Sequence, residues 1–285
     1  MNNERETYPA GVPCWVDTVH DDPAAAAAFY REVFGWDLED ALPPDAGAHY
    51  FMARVDGRLV AAVGSRPDAL PAGAAWNTYI AVDDADAAAA RAEELGGSVV
   101  MGPMDVGEAG RMAAIADPED ALFFVWQAGT THGAELVNAP GSWNFSGVNA
   151  RDPEAAATFY GALFGWEAGP ADPDSGARLV HLPGYGDHLE QRDPGMTKRM
   201  AELGAPERFE DAVGWILPVA DGLAPHWDET FAVEDADATA ARAVSSGGRI
   251  VMPPTDMPWV RKTVISDPEG AGFTASKFVP PGQEG

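Results

Sequence analysis

A block of sequence that returns in the same order constrains this chain more than any other feature. Asp22-Pro23-Ala24 leads to Phe29-Tyr30-Arg31-Glu32-Val33-Phe34-Gly35-Trp36, and Asp152-Pro153-Glu154 leads to Phe159-Tyr160-Gly161-Ala162-Leu163-Phe164-Gly165-Trp166, 130 residues on. Trp76 to Asp86 returns as Trp227 to Asp237, with Asp84 and Asp235 151 residues apart, and the Asp-Pro-Glu turn at Asp117 returns at Asp267, 150 residues on. One design is therefore written twice, and the second copy carries about twenty extra residues.

The repeat divides the 285 residues into a first domain at 1–128, a linker at 129–141 and a second domain at 142–279. An inserted segment falls at about 183–212. The Pro/Gly tail at 280–285 reads as disordered. No apolar run approaches the roughly 20 residues that span a bilayer, and the charged start lacks a secretory core. One cysteine, Cys14, excludes an internal disulfide framework and suits a reducing cytoplasm; it reads as a small apolar residue on the first strand. The net charge of −27 repels phosphate backbones and anionic membranes, which excludes nucleic acid and membrane as partners.

Local signals set the element order. Asp22 and Asp152 read as helix N-caps followed by proline, and Gly35 and Gly165 as helix ends. Strands are expected at Val12–Val19, Trp36–Glu39, His49–Val55 and Arg58–Val63, with a hairpin turn at Asp56-Gly57. Trp76–Val82, a helix capped by Asp83 or Asp84, and strands at Ser98–Met101, Arg111–Ala116 and Ala121–Gln127 complete the first half. The second half repeats this order, with its hairpin replaced by Pro183-Gly184-Tyr185-Gly186-Asp187 and a helical stretch at Thr197–Leu203. His20 is placed at a turn and His188 in a loop. Each half thus holds two β-α-β-β-β units.

This order, with Phe-Tyr-x-x-x-Phe-Gly-Trp, Val-Asp-Asp-Ala-Asp-Ala and the Asp-Pro-Glu hairpin, resembles the vicinal-oxygen-chelate superfamily of glyoxalases, bleomycin-resistance proteins and extradiol dioxygenases. The tandem form with Gly184-Tyr185-Gly186-Asp187 is similar to a glyoxalase-like subgroup that carries a hydroxylase label. The resemblance implies an α+β fold of two tandem domains. Each would fold two βαβββ units into a curved, cup-like mixed sheet with helices outside.

The resemblance also implies where metal ligands would stand. Its enzymes place His, Gln or Glu at positions matched here by Trp15, Asn77 and Phe124 in the first half, and by Phe145, Asp228 and Thr274 in the second. Only Asp228 is a good donor, so no metal and no cofactor is expected. A displaced site using His226, Asp228 and His181 is the weaker alternative to structural histidines.

Period-2 alternation gives Ile80, Val82, Phe123 and Val125 to the helices. It leaves Trp15, Asp17, Asn77, Tyr79, Phe124 and Trp126 lining the first cup, an aromatic box that suits a flat ligand unless those rings pack on one another. The second cup receives Phe145, Gly147, Asn149, Asp228, Thr230, Gly272, Thr274 and Ser276, and is either roomier or plugged by the insertion. Asp17 and Asp228 are the only general acid or base candidates in the cups. The expected function is metal-independent binding of an aromatic or natural-product small molecule by a cytoplasmic monomer or homodimer, serving antibiotic biosynthesis or self-resistance. The alternative is a glyoxalase-like lyase, isomerase or hydroxylase-associated enzyme.

Overall fold

The computed structural model describes residues 8–280. The first half runs β1 (Pro13–His20), α1 (Pro23–Phe34), β2 (Asp37–Asp40), β3 (Tyr50–Val55), β4 (Arg58–Ser65), β5 (Ala75–Ala81), α2 (Ala85–Glu94), β6 (Ser98–Val106), β7 (Gly110–Ala116) and β8 (Leu122–Ala128). The second runs β9 (Trp143–Ala150), α3 (Pro153–Phe164), β10 (Glu167–Ala168), β11 (Arg178–His181), α4 (Tyr185–Arg192), α5 (Met196–Glu202), β12 (Ala212–Pro218), β13 (His226–Ala232), α6 (Ala236–Ser245), β14 (Arg249–Met257), β15 (Val260–Ser266) and β16 (Gly272–Phe278). Two open eight-stranded mixed sheets result, ordered β2-β3-β4-β1-β5-β8-β7-β6 and β10-β11-β12-β9-β13-β16-β15-β14. The expected α+β fold of two tandem domains is what forms.

The helices start where the sequence places them. Asp22, Asp84, Asp152 and Asp235 each accept a backbone N–H of the first turn, and Gly35 and Gly165 end α1 and α3 in the left-handed conformation. Several details differ. β6 and β14 run past Pro103 and Pro253-Pro254, because each is an edge strand whose register with its neighbour shifts there, between Met101 and Met104 and between Met252 and Thr255, so the prolines owe no ladder bond. His20 is the buried last residue of β1 rather than a turn residue. The hairpin of the second half is not replaced: β11 and β12 pair antiparallel, and the insertion lengthens their connection. That connection holds α4, which carries His188, as well as α5. Tyr185 packs on apolar core, and α4 packs on α5 and on a 3-10 turn at Phe209–Asp211. Gly186 donates its N–H to Asp211 Oδ1 at 2.8 Å, and a Cβ there would meet Glu210 Cγ at 2.5 Å, which accounts for the glycine. Of the expected disordered tail, residues 281–285 lie outside the described residues.

The core regroups the quarters of the chain into two compact units. One unit comprises residues 8–14, 79–132 and 146–227; the other comprises residues 15–78, 133–145 and 228–280. In the second of these, Tyr30 from α1 stacks with Phe34 and Trp36 and meets Trp76 and Phe273. Its hydroxyl accepts from Trp76 Nε1 (3.1 Å) and donates to Asp267 Oδ2 (3.0 Å). The other unit repeats this with Tyr160, which accepts from Trp227 Nε1 (3.1 Å) and donates to Asp117 Oδ2 (2.9 Å).

The repeated motifs are therefore mutually dependent. Asp117 and Asp267 hold their own turns through Oδ1, accepting Ala121 N–H and Ala271 N–H respectively at 2.9 Å. Glu119 and Glu269 accept the backbone N–H groups ahead of α3 and α1. Trp36 Nε1 donates to the Gly141 carbonyl and Trp166 Nε1 to that of Gly11. Deleting one such buried hydroxyl strands two polar partners, at a cost of about 1–3 kcal/mol.

Candidate functional site

The six candidate residues of the first half are all less than a tenth exposed. In one unit, Asp17 accepts Asn77 Nδ2 at 2.7 Å and the Tyr50 hydroxyl at 2.9 Å, and that hydroxyl accepts from Trp15 Nε1 at 3.1 Å. Burial, and then the Asp17 charge, hold the Tyr50 phenol well above its ordinary pKa, so it serves as a fixed donor. In the other unit, Tyr79 stacks on Phe124 at 4.6 Å and meets Trp126 edge-on at 6.4 Å, while Trp126 Nε1 donates to the Thr131 carbonyl. Rings and polar tips are thus committed to one another. The alternation that assigned faces is visible here, since Phe123 and Val125 pack in the same core as Ala85, Ala89 and Ala92 of α2.

The second half presents the same strand positions with different chemistry. On β13, Asp228 and Thr230 are half-buried while Trp227, Glu229 and Phe231 turn into the core. On β15 and β16, Lys262, Val264 and Thr274 are half-buried while Thr263, Ile265, Phe273 and Ala275 are buried. The ladder sets Thr230 beside Thr274, Thr274 beside Val264, and Ser276 beside Lys262. The equivalent first-half ladder sets Tyr79 beside Phe124, Phe124 beside Ala114, and Trp126 beside Met112. Three rings (Tyr79, Phe124, Trp126) are therefore replaced by Thr230, Thr274 and Ser276, and Asp17 by Gly147. Phe145, the counterpart of Trp15, is also half-buried and belongs to the same unit as these residues. In the other unit, Asn149 Nδ2 lies 3.5 Å from the His226 carbonyl oxygen. Two grooves of about 280 and 340 Å³ run along α2, lined by residues such as Arg91 and Phe164 and by Asp86 and Pro103; neither is lined by a candidate residue.

Lys262, Val264 and Trp215 escaped the sequence reading. Trp215 is half-buried on β12, beside Leu179 and Gly147. Alternation along Val260–Ser266 and along Ala212–Pro218 carries the signal for all three, because each sits one position from a buried residue.

A family model for the glyoxalase/bleomycin resistance protein/dioxygenase superfamily matches residues 15–124 and 144–274. The chain belongs to that superfamily. "Putative glyoxylase CFP32" of Mycobacterium bovis is 38% identical over 97% of this chain and 98% of its own length. "Anthracycline biosynthesis protein DnrV" of Streptomyces peucetius is 37% identical, covering 94% of this chain and 93% of its own. The Mn(II)-bound glyoxalase of Novosphingobium aromaticivorans shares the fold, with a TM-score of 0.60 at 16% identity, covering 94% of this chain and 82% of that one.

A divalent ion, as the superfamily's enzymes hold, does not fit the donors present. The six matched positions offer an indole, a carboxamide, two phenyl rings, a threonine hydroxyl and one carboxylate, where such ions take imidazole, thiolate or several carboxylates. Among the described residues no three His, Cys, Asp or Glu side chains gather as a metal site, the His226, Asp228 and His181 set included.

Proposed function

We propose that this member of the superfamily binds a planar, oxygen-substituted aromatic small molecule on the open face of its second sheet, without a metal ion. The observation that carries this reading is the loss of three rings between equivalent ladders. Where Tyr79, Phe124 and Trp126 pack on one another, Thr230, Thr274 and Ser276 are smaller and carry hydroxyls. An aromatic guest would replace the missing rings, with Phe145 beside it and Asp228, Thr230 and Thr274 meeting its polar substituents. The similarity to a protein named for anthracycline biosynthesis supports a polycyclic natural product as the guest and a role in its biosynthesis or in self-resistance. The committed first-half rings act in this reading as scaffold.

Refilling the face tests it. Tryptophan fluorescence of the wild-type chain should quench saturably with a hydroxyanthraquinone. Thr274→Phe combined with Ser276→Trp, which copies the first half, should weaken that binding at least about tenfold while leaving the melting temperature nearly unchanged. A wild-type chain that shows no saturable response, or a refilled variant that binds as well, contradicts the reading.

A second reading rests on Asp228. Asp228 is half-buried on β13, and as a general base towards a bound substrate it would make the protein a lyase or isomerase, in keeping with its glyoxylase-named relatives. Turnover lost in Asp228→Asn with binding retained would favour it.

A further inference from the structure

The geometry points to Lys262 as an anchor for a negatively charged oxygen, so that the guest of the second sheet is an anionic aromatic: an ionised phenol or enol, or a ring carboxylate. The inference rests on the binding face proposed above and specifies the class of molecule it takes.

Three observations combine. Lys262 is half-buried on β15, its neighbours Arg261 and Thr263 fall on the opposite face, and the ladder sets it beside Ser276 and one step from Val264 and Thr274. Its side chain forms no ion pair or hydrogen bond among the described residues, although the chain carries a net charge of −27. Its neighbour Arg261 shows what a cation ordinarily does here, bridging Asp237 at 2.6 Å and Asp256 at 2.8 Å. Finally, the equivalent first-half position holds Met112, beside Trp126, where the rings already fill the space. The cation thus appears only in the copy of the ladder from which the rings are missing.

Lys262 is half-buried as a residue, and its ammonium, on a flexible stem, can reach an acceptor held against this face. Its ladder neighbours Ser276 and Thr255 offer hydroxyls, not charge. On the same strand face Asp228 stands on β13, beyond the intervening β16, and Asp17 of the same unit is held by Asn77 and Tyr50. A ligand oxyanion would supply the missing charge, and a charge-assisted hydrogen bond is stronger than a neutral one. The field of the whole chain opposes an anion, so a preference for one must come from a local cation. Asp228 would then accept from a hydroxyl elsewhere on the guest, which gives the ligand a donor end and an anionic end.

Anthraquinone-2-carboxylate and its carboxamide, matched in size and planarity, separate the possibilities when titrated by fluorescence quenching at neutral pH. The carboxylate should bind the wild type at least about tenfold more tightly than the carboxamide. Lys262→Met should reduce that preference to within about twofold while leaving the carboxamide's affinity unchanged, and Lys262→Arg should restore it. Equal affinities in the wild type, or a preference that survives Lys262→Met, overturn the anion assignment and leave aromatic binding standing. If neither compound binds, both fall together.

Discussion

At the scale of single residues, the two copies differ in charge and volume at matched strand positions. His20 is one such change. It lies fully buried, with Nε2 2.9 Å from Thr18 Oγ1 and 3.5 Å from Asp267 Oδ2, and Nδ1 3.8 Å from Glu269 Oε2. The equivalent residues of the other copy are Val148 and Ala150. Burial lowers the His20 pKa, against the opposing pull of Asp267, Glu269, Asp21 and Asp22. A lowered folded pKa means that the unfolded chain takes up the proton first, so stability falls as pH drops below the unfolded value of about 6.5. His20→Gln should flatten the melting temperature between neutral pH and about pH 5; a slope unchanged from wild type would contradict this. Asp117 works in the opposite direction. Burial raises its pKa, so its contribution grows as pH falls through that raised value.

At the scale of elements, the sequence was most legible where local chemistry decides. The caps at Asp22, Asp84, Asp152 and Asp235 and the left-handed ends at Gly35 and Gly165 need no long-range information. The links from Tyr30 to Asp267 and from Trp166 to Gly11 join residues 237 and 155 apart in sequence, and no local pattern announces them. Strand β6 outruns the expected Ser98–Met101 because proline argues against a strand unless the strand is known to be an edge. The inserted α4 was missed because Gly184 and Gly186 hide its start. Gly-Gly at the end of α2 shows both kinds of constraint. Gly96 takes a positive φ of 94°, which the sequence suggests, whereas Gly97 is required because a Cβ would lie 2.8 Å from the Ala116 carbonyl oxygen. Gly97→Ala should therefore destabilise the fold by about 1–3 kcal/mol in denaturant unfolding, and a change within about 0.5 kcal/mol would show that the strand yields freely.

At the scale of the whole molecule, the duplicated sequence made the two tandem sheets foreseeable. It did not show that the quarters regroup into two compact units, because that depends on which copy of a Tyr meets which copy of an Asp-Pro-Glu turn. The candidate residues were found by alternation, but their fates were not: Trp15, Asp17, Asn77, Tyr79, Phe124 and Trp126 are buried and committed, while Phe145, Asp228 and Thr274 stay half-open. Whether an aromatic residue lines a cup or fills it depends on what stands opposite, and a single strand cannot reveal that. One copy thus carries three packed rings, and the other carries Thr230, Thr274 and Ser276 at the same ladder positions. The direct test is a fluorescence titration of chelator-treated protein with a hydroxyanthraquinone, with metal content measured on the same sample. Binding that saturates with the same affinity before and after metal removal is the predicted result; binding that vanishes with the metal and returns when manganese, iron or zinc is restored would contradict it.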